Sequence, residues 1–305
     1  MRLFQAHIPK RVNRVRFSSD VQTLSVILRG QPDINHFSVI GGERKLWQPS
    51  GRRELFDLAY SGDGTTIAVA TIGLALAYDH PPTTDDRGRF ESRALISPGF
   101  LGERMRRSSL ELMFCPSPHP FHTWLGVAGT ELHLWRSHDM QRIVAPEEGD
   151  YRGVSFGPDG TTVTSIEYHA HALSVWNVKP FRVLFRTDLK GIDAFDNGSV
   201  AMMPDGERVI VAAGSLMRCV PINGGTGWDT ATKKPPLEIA LHPSGRTLLV
   251  ADGSKRVTAY DTGNGKASAQ YDWGIGKIGC VTYSPDGTLA AAGGEKGQVV
   301  VWDAE

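Results

Sequence analysis

The sequence predicts an all-β fold built from seven similar units, and three observations support this prediction. A short turn motif recurs along the whole chain of 305 residues. Each copy is followed by a stretch rich in β-branched and aliphatic residues, such as "TTIAVAT", "ERVIVAA" or "RTLLVAD", which is typical of a strand. The copies are spaced so evenly that no length remains for a second domain.

The turn motif reads "YSPDG" in its most complete copy, which begins at Tyr283. A large apolar residue ends one strand, the proline presets φ, the Asp or Ser bonds the turn backbone, and the glycine supplies a positive φ. The pattern therefore predicts seven β-hairpins. The other six copies begin at Phe17, Tyr60, Phe114, Phe156, Met202 and Leu241. The Asp or Ser of the motif stands at positions 20, 63, 117, 159, 205, 244 and 286.

The spacing of the turns defines the architecture. Successive turns are 43, 54, 42, 46, 39 and 42 residues apart, and 39 residues separate the last from the first across the chain ends. A period of about 40–45 residues is that of a four-stranded propeller blade. The sequence therefore predicts a seven-bladed β-propeller with four-stranded antiparallel blades, as a single domain over residues 1–305.

An aromatic or apolar residue recurs 15 to 18 positions after each turn, where the third strand of a blade should run. Trp47 lies 27 positions after Asp20, so the spacing assigns it to the outer strand of blade one, with "HFSVI" as the third strand. The recurring residues are Phe37, Tyr78, Trp135, Trp176, Val220, Tyr260 and Trp302.

Blade seven has only three strands at the C-terminal end of the sequence. The run Val299–Trp302 would leave an unpaired edge, which is an aggregation liability. The stretch "RLFQAH", Arg2–His7, precedes the first inner strand and has no blade of its own. We predict that Arg2–His7 pairs with Val299–Trp302 and closes the ring.

These repeats resemble the WD-repeat β-propeller family over the full length of the chain. Trp302-Asp303 is the one literal Trp-Asp pair, while Tyr78-Asp79 and Tyr260-Asp261 are near copies. Ala6-His7 stands where the family has Gly-His, but no other repeat has a histidine there. The hairpin aspartate that partners this histidine in the family is mostly missing too. The resemblance therefore implies a propeller with divergent repeats, most of which lack the family's His–Asp–Trp network.

Composition narrows the possible functions. Lys plus Arg equals Asp plus Glu at 33 each, and a balanced charge argues against nucleic-acid binding, which requires a basic face. No apolar leader or membrane-length run is present. Cys115, Cys219 and Cys280 lack paired close spacing and fit free thiols in a reducing compartment. We expect a cytoplasmic protein that does not bind membranes. A nucleic-acid platform is a further alternative, which a continuous basic stripe across one face would favour.

Two histidine-containing stretches are candidate metal sites. In "IEYHAHAL", Glu167, His169 and His171 alternate, so their side chains would share one face of an extended strand. The alternative is a polar hairpin between the second and third strands of blade four. In "PSPHPFH", His119 and His122 belong to a proline-rich turn on the opposite face of the ring. Since hairpin and turn chemistry account for both stretches, the sequence predicts no metal and no cofactor.

An enzyme with a site at the central channel is the main alternative to an interaction protein. A lactonase-like or other hydrolase would need acidic side chains from several blades near the axis. Asp57, Asp193 and Glu238 lie near the starts of inner strands, where solvation at a channel mouth explains them equally well. Convergence of three or more acids or histidines from different blades would favour an enzyme.

The 54-residue spacing between blades two and three reveals an insertion. "FESRALIS" can serve as the outer strand of blade two, which leaves a lower loop, 80–88, and an upper loop, 98–109. The upper loop is either a solvated insertion or a docking site for a protein or peptide, since aromatic and Arg residues are enriched at interface hot spots. The sequence thus favours a non-catalytic protein–protein interaction scaffold. Its candidate partner-binding residues are Phe100, Leu101, Arg104, Arg106 and Arg107.

Overall fold

The computed structural model contains seven four-stranded antiparallel sheets arranged as a β-propeller, as the repeat predicted. Among the described residues there is no helix long and apolar enough to cross a membrane. The structure describes residues 2–49, 53–71, 74–80, 92–96, 111–115, 124–129, 131–136, 141–144, 149–192 and 198–304.

Each blade contributes an inner, a second, a third and an outer strand. The inner strands are β2 (Val12–Phe17), β6 (Leu55–Tyr60), β10 (Glu111–Phe114), β14 (Tyr151–Phe156), β18 (Ser199–Met202), β22 (Glu238–Leu241) and β26 (Ile278–Tyr283). The second strands are β3 (Thr23–Leu28), β7 (Thr66–Thr71), β11 (Trp124–Ala128), β15 (Thr162–Glu167), β19 (Arg208–Ala213), β23 (Thr247–Ala251) and β27 (Leu289–Gly294).

The third strands are β4 (Ile34–Ser38), β8 (Leu74–Asp79), β12 (Leu132–Arg136), β16 (Ala172–Val178), β20 (Leu216–Pro221), β24 (Val257–Asp261) and β28 (Gln298–Asp303). The outer strands are β5 (Arg44–Trp47), β9 (Ser92–Ile96), β13 (Arg142–Val144), β17 (Phe181–Asp188), β21 (Trp228–Ala231), β25 (Ala267–Tyr271) and β1 (Arg2–His7). Every predicted third-strand residue lies on a third strand, and Trp47 lies on an outer one, as its spacing required. The third strand of blade one ends at Ser38, two residues earlier than predicted, and Ile40 lies in the following turn.

The ring is closed by the N-terminal strand. β1 pairs antiparallel with β28, with Phe4 opposite Val301 and His7 opposite Gln298. The seven inner strands contact one another in chain order, and β26 contacts β2 to complete the circle. The predicted closure is therefore confirmed. The His7 side chain bonds the backbone carbonyl of Lys296 in the neighbouring loop.

The hairpin turns follow the predicted chemistry closely. In six turns the carboxylate or hydroxyl at the Asp or Ser position accepts the backbone N–H two residues later, as Asp63 does from Thr65 at 3.0 Å. The residue directly after the Asp or Ser is a left-handed glycine in five of these turns, with φ between 70° and 78°. In blade one Val21 takes that place at φ 61°, a conformation that is costly for a β-branched side chain.

The turn glycines also pack against the preceding blade. A Cβ added to Gly206 would lie 3.6 Å from Pro158, and one added to Gly245 would lie 2.7 Å from Pro204. Gly64 approaches Ser19 in the same way. The proline of the motif therefore has a second role that the sequence pattern did not reveal, because it forms a surface on which the next turn rests.

The hydrophobic core is divided among the blade interfaces. Seven clusters of buried apolar side chains are present, and each joins two adjacent blades. The cluster between blades seven and one includes Val12 and Phe37 from one side and Val299 and Val301 from the other. No described blade has an apolar core of its own, so the stability of each depends on both neighbours.

Candidate functional site

One position in each inner strand lies six residues before the turn Asp or Ser, and we call it the channel position. Its occupants differ sharply in character between blades, unlike the turn residues. Blades one to seven place Arg14, Asp57, Glu111, Gly153, Ser199, Glu238 and Cys280 there, in that order.

Arg16 lies two residues after the channel position of blade one. It contacts carboxylates of two blades that are not neighbours of each other. Its guanidinium lies 2.7 Å from Glu238 of blade six and 3.3 Å from Asp57 of blade two. Blade seven lies between blades six and one, so the contact with Glu238 spans an entire blade across the channel. Arg14 supports the same carboxylates from 3.7 and 3.8 Å. Both carboxylates raise the pKa of Arg16, although burial alone would lower it.

Asp57 and Glu238 each also link the inner strand of their own blade to the inner strand of the following blade. Asp57 accepts the backbone N–H of Leu112 in blade three at 3.0 Å, and Glu238 accepts that of Val281 in blade seven at 3.2 Å. The two residues are only 2% and 6% exposed. The sequence-based interpretation that they are solvated at a channel mouth is therefore wrong, because both are buried and held by amides and arginines.

At the channel, the described residues that join blades four and five are uncharged. Ser155 Oγ accepts the backbone N–H of Met202 in blade five at 3.0 Å. Gly153 adopts φ 64°, and a Cβ added to it would lie 3.0 Å from the backbone nitrogen of Val200. Here the two backbones approach so closely that a side chain at the channel position would not fit without movement.

Glu111 is the acid of the channel whose ionisation is most perturbed. Burial raises the pKa of Glu111 to about 7, while Arg14 and Arg152 oppose that change and Asp57 and Glu238 reinforce it. Burial also raises the pKa of the Cys280 thiol in blade seven to about 12. The thiol therefore stays protonated at neutral pH, whereas Glu111 exchanges a proton there.

Three carboxylates from different blades thus converge near the axis, which is the condition that would favour an enzyme. Two of them, Asp57 and Glu238, are committed to arginines and backbone amides, so they lack the freedom of a general base or nucleophile. The pKa of Glu111, raised to about 7, is that of an acid–base group at neutral pH. Arg14, Arg16 and Glu111 were not among the predicted site residues. Aligning the inner strands on their turns places Arg14 and Glu111 at the channel position and Arg16 two residues after it.

The candidate metal residues of blade four do not assemble. Glu167 ends strand β15, accepts a hydrogen bond from Ser174 and pairs with Arg186. His169 and His171 lie in the turn that follows, and His171 has φ 50°. The strand ends before the first histidine, so the three side chains do not share one extended face. The stretch forms the hairpin between the second and third strands of blade four that the sequence favoured. Within the described ranges, no three His, Cys, Asp or Glu side chains form a group that could hold a metal ion.

Several predicted residues lie outside the described part of the chain. They include all five candidate docking residues of the 98–109 loop, the histidine pair of the blade-three turn and one channel acid. These residues are Phe100, Leu101, Arg104, Arg106, Arg107, His119, His122 and Asp193.

Comparison with known proteins identifies the family to which the last repeat is similar. A family model described as "WD domain, G-beta repeat" matches residues 274–303, the segment that contains Trp302-Asp303. Human serine-threonine kinase receptor-associated protein is 29% identical over 108 residues, which is 34% of this chain and 30% of that protein. Bovine WD repeat-containing protein 1 is 33% identical over 131 residues, or 41% of this chain and 21% of that protein.

Small ribosomal subunit protein RACK1 of Caenorhabditis elegans is 34% identical over 67 residues, which is 21% of each chain. The matched segments thus span less than a third of the length of each of these relatives. The repeat match coincides with blade seven, whose turn and third strand carry the motif in its most complete form. With seven four-stranded blades closed in a ring, the chain belongs to the WD-repeat β-propeller family, with divergent repeats.

Proposed function

We propose that this chain is a non-catalytic scaffold that presents loops to a protein or peptide partner, in the cytoplasm. The observation that carries the proposal is the state of the channel, where the charged side chains hold blades together rather than face a substrate. Arg16, Asp57 and Glu238 are engaged with one another and with backbone amides of neighbouring strands. One relative is named as a receptor-associated protein, which fits the same role.

The proposed docking element is the 98–109 loop, between the outer strand of blade two and the inner strand of blade three. Phe100 and Leu101 supply apolar anchors, and Arg104, Arg106 and Arg107 supply charge for an acidic partner. A loop that connects an outer strand to the next inner strand can change without disturbing a blade core. This makes it suitable for recognition.

The test begins with a pull-down from native extract and identification of the recovered proteins by mass spectrometry. Binding of a recovered partner is then measured for Phe100→Ala, which should cost about 2 kcal/mol if Phe100 is a hot spot. Reversal of the three arginines to Glu should slow association and weaken its salt dependence. The matched controls are Ile40→Ala and Lys255→Glu, at exposed positions elsewhere. Equal recovery of the partner by the loop variants would place the docking site on another surface.

The enzyme alternative is favoured by Glu111 alone. A hydrolase would use this carboxyl as a general acid or base, because its pKa lies near neutrality. Wild type and Glu111→Gln can be compared on a panel of esters and lactones. Turnover by the wild type that is abolished in Glu111→Gln would establish an enzyme and overturn the scaffold proposal.

A further inference from the structure

The outer strand of blade four differs from the other outer strands. β17 has eight residues, whereas the other outer strands have between three and six. It is the last strand of its sheet, whose order is β14-β15-β16-β17, so no described strand pairs with its outer edge. Native edges are usually kept short because their unpaired N–H and C=O groups are templates for another strand.

β17 also exposes apolar side chains at this edge. Val183 is 37% exposed and Leu184 is 48% exposed, and they are two of the five large apolar side chains exposed to this extent in the described chain. The pairing with β16 shifts at this point, with Val183 opposite Trp176 and Phe185 opposite Val175. Leu184 is therefore the extra residue of a β-bulge, which turns two consecutive apolar side chains outward.

An open groove of about 280 Å³ adjoins the C-terminal end of β17. Thr187 and Leu189 line it from blade four, and Val220 and Trp228 line it from blade five. Its volume is below the roughly 300–1,000 Å³ of small-molecule pockets, and it suits one or two side chains of an extended peptide.

The charge of the edge indicates what would bind there. Residues 179–190 contain four cations, Lys179, Arg182, Arg186 and Lys190, and one carboxylate, Asp188. Arg186 pairs with Glu167, so an excess of two positive charges is left at this edge of a chain whose total charge is balanced. Two copies of this edge would repel each other, since like charges on adjacent strands are destabilising. An acidic partner would be attracted.

We propose that β17 is a docking edge, to which an extended acidic–apolar segment of a partner protein adds as a fifth strand of blade four. Backbone hydrogen bonds along β17 supply the affinity, and alternate side chains supply the specificity through Val183, Leu184 and the groove. This inference extends the proposed scaffold function to a second surface and does not depend on the 98–109 loop.

The probe is a display library of random peptides of about eight residues, selected on the intact protein. We expect selected peptides that alternate apolar and acidic residues. Leu184→Asp should weaken their binding at least about ten-fold, as for a hot spot, and Arg182→Glu should weaken it several-fold. Leu46→Asp is the matched control, because Leu46 is 59% exposed on the shorter strand β5 and should have no effect. Thermal melting of each variant establishes that it remains folded.

The binding mode is tested by N-methylation of the selected peptide at successive amides. If the peptide adds as a strand, methylation should abolish binding at alternate positions only, because only alternate N–H groups face β17. Equal binding to wild type and Leu184→Asp, or failure to select any peptide, would overturn this proposal while the pull-down still tests the scaffold function. Concentration-dependent dimerisation that Leu184→Asp abolishes would also overturn it, by assigning the edge to a second copy of this chain.

Discussion

The channel divides into two unlike arcs. The charged arc runs from blade six through blade seven to blades one, two and three, and its channel positions hold four charged side chains and Cys280. The neutral arc comprises Gly153 and Ser199 of blades four and five. In the charged arc, buried carboxylates reach the amides of the next strand and are neutralised by Arg16. In the neutral arc, one serine hydroxyl and a close backbone approach link the neighbouring inner strands instead. Neighbouring inner strands can therefore be held together either by buried charged side chains or by close backbone packing. Substitutions in the two arcs should change the stability of the protein in different ways.

The largest effect is expected from opening the ring inside the charged arc. Removal of residues 1–8 exposes the edge of β28 and separates the blades that Arg16 spans. We expect a loss on the order of 5 kcal/mol or more, comparable with the total stability of a domain. The loss should appear as one cooperative transition in thermal unfolding, since every core cluster is shared between blades. A truncated protein that stays monodisperse with an unchanged Tm would contradict the closure.

The next effect is expected from Arg16→Met, which removes the nearer of the two cations from a pair of buried carboxylates and leaves them only Arg14, at 3.7 and 3.8 Å. Breaking a buried ion pair from one side costs about 3–5 kcal/mol, and denaturant unfolding should show it. The triple variant Arg16→Met, Asp57→Asn, Glu238→Gln should recover much of this loss, because the amide oxygens can still accept the backbone N–H groups. If the triple variant is no more stable than Arg16→Met, charge burial is not the cause.

The neutral arc is tested by Gly153→Ala. This change adds a Cβ at 3.0 Å from Val200 N and forces a positive φ on alanine, and we expect a loss of about 3 kcal/mol. The matched control is Gly206→Ala, which has φ 70° but only ordinary contact with Pro158 at 3.6 Å. It should cost about 1 kcal/mol through the backbone alone. Equal losses for the two variants, measured by denaturant unfolding, would show that the close approach contributes nothing.

The smallest effect is expected from Glu111→Gln and depends on pH. Because the pKa of Glu111 rises from its ordinary 4.5 to about 7 in the folded protein, the folded state binds more protons than the unfolded state between these values. The free energy of unfolding should therefore fall as pH rises through this window. Glu111→Gln lacks this contribution and should be more stable than the wild type at pH 8, by up to about 3 kcal/mol.

The readout for Glu111 is the difference in unfolding free energy between wild type and variant, measured from pH 4 to pH 8. His36 requires this subtraction, since burial lowers its pKa to about 4 and gives the opposite slope below pH 6.5. Both proteins share the His36 contribution, so it cancels. A difference that does not change with pH would show that Glu111 stays ionised in the fold.

The fold could be predicted from the sequence because each hairpin is encoded locally. Asp63 with Gly64, or Asp286 with Gly287, specifies a turn without reference to the rest of the chain, and the period then fixes the number of blades. The channel could not be predicted in this way. Arg16 and Glu238 are 222 residues apart, and only the closed ring shows that they meet across blade seven.

The hairpin of blade four could be predicted for a local reason, since the strand ends at Glu167 and the two histidines lie in the turn that follows. The docking residues of the 98–109 loop remain a prediction. These residues lie in an insertion, where the repeat period no longer predicts structure. Only the amino-acid composition of the loop therefore supports a role in partner binding.

The pairing of β1 with β28 has a consequence for synthesis of the chain. His7 and Lys296, which are in contact beside this pairing, are 289 positions apart in the sequence. At a synthesis rate of about 5–20 residues per second, β1 therefore remains unpaired for about 15–60 s before β28 is made. A strongly apolar strand would be hazardous during that interval. In β1 Phe4 and Ala6 pack against the core, and of the four exposed residues Arg2, Gln5 and His7 are polar while Leu3 is apolar. The strand that completes the ring is thus composed to remain soluble on the ribosome until the seventh blade emerges.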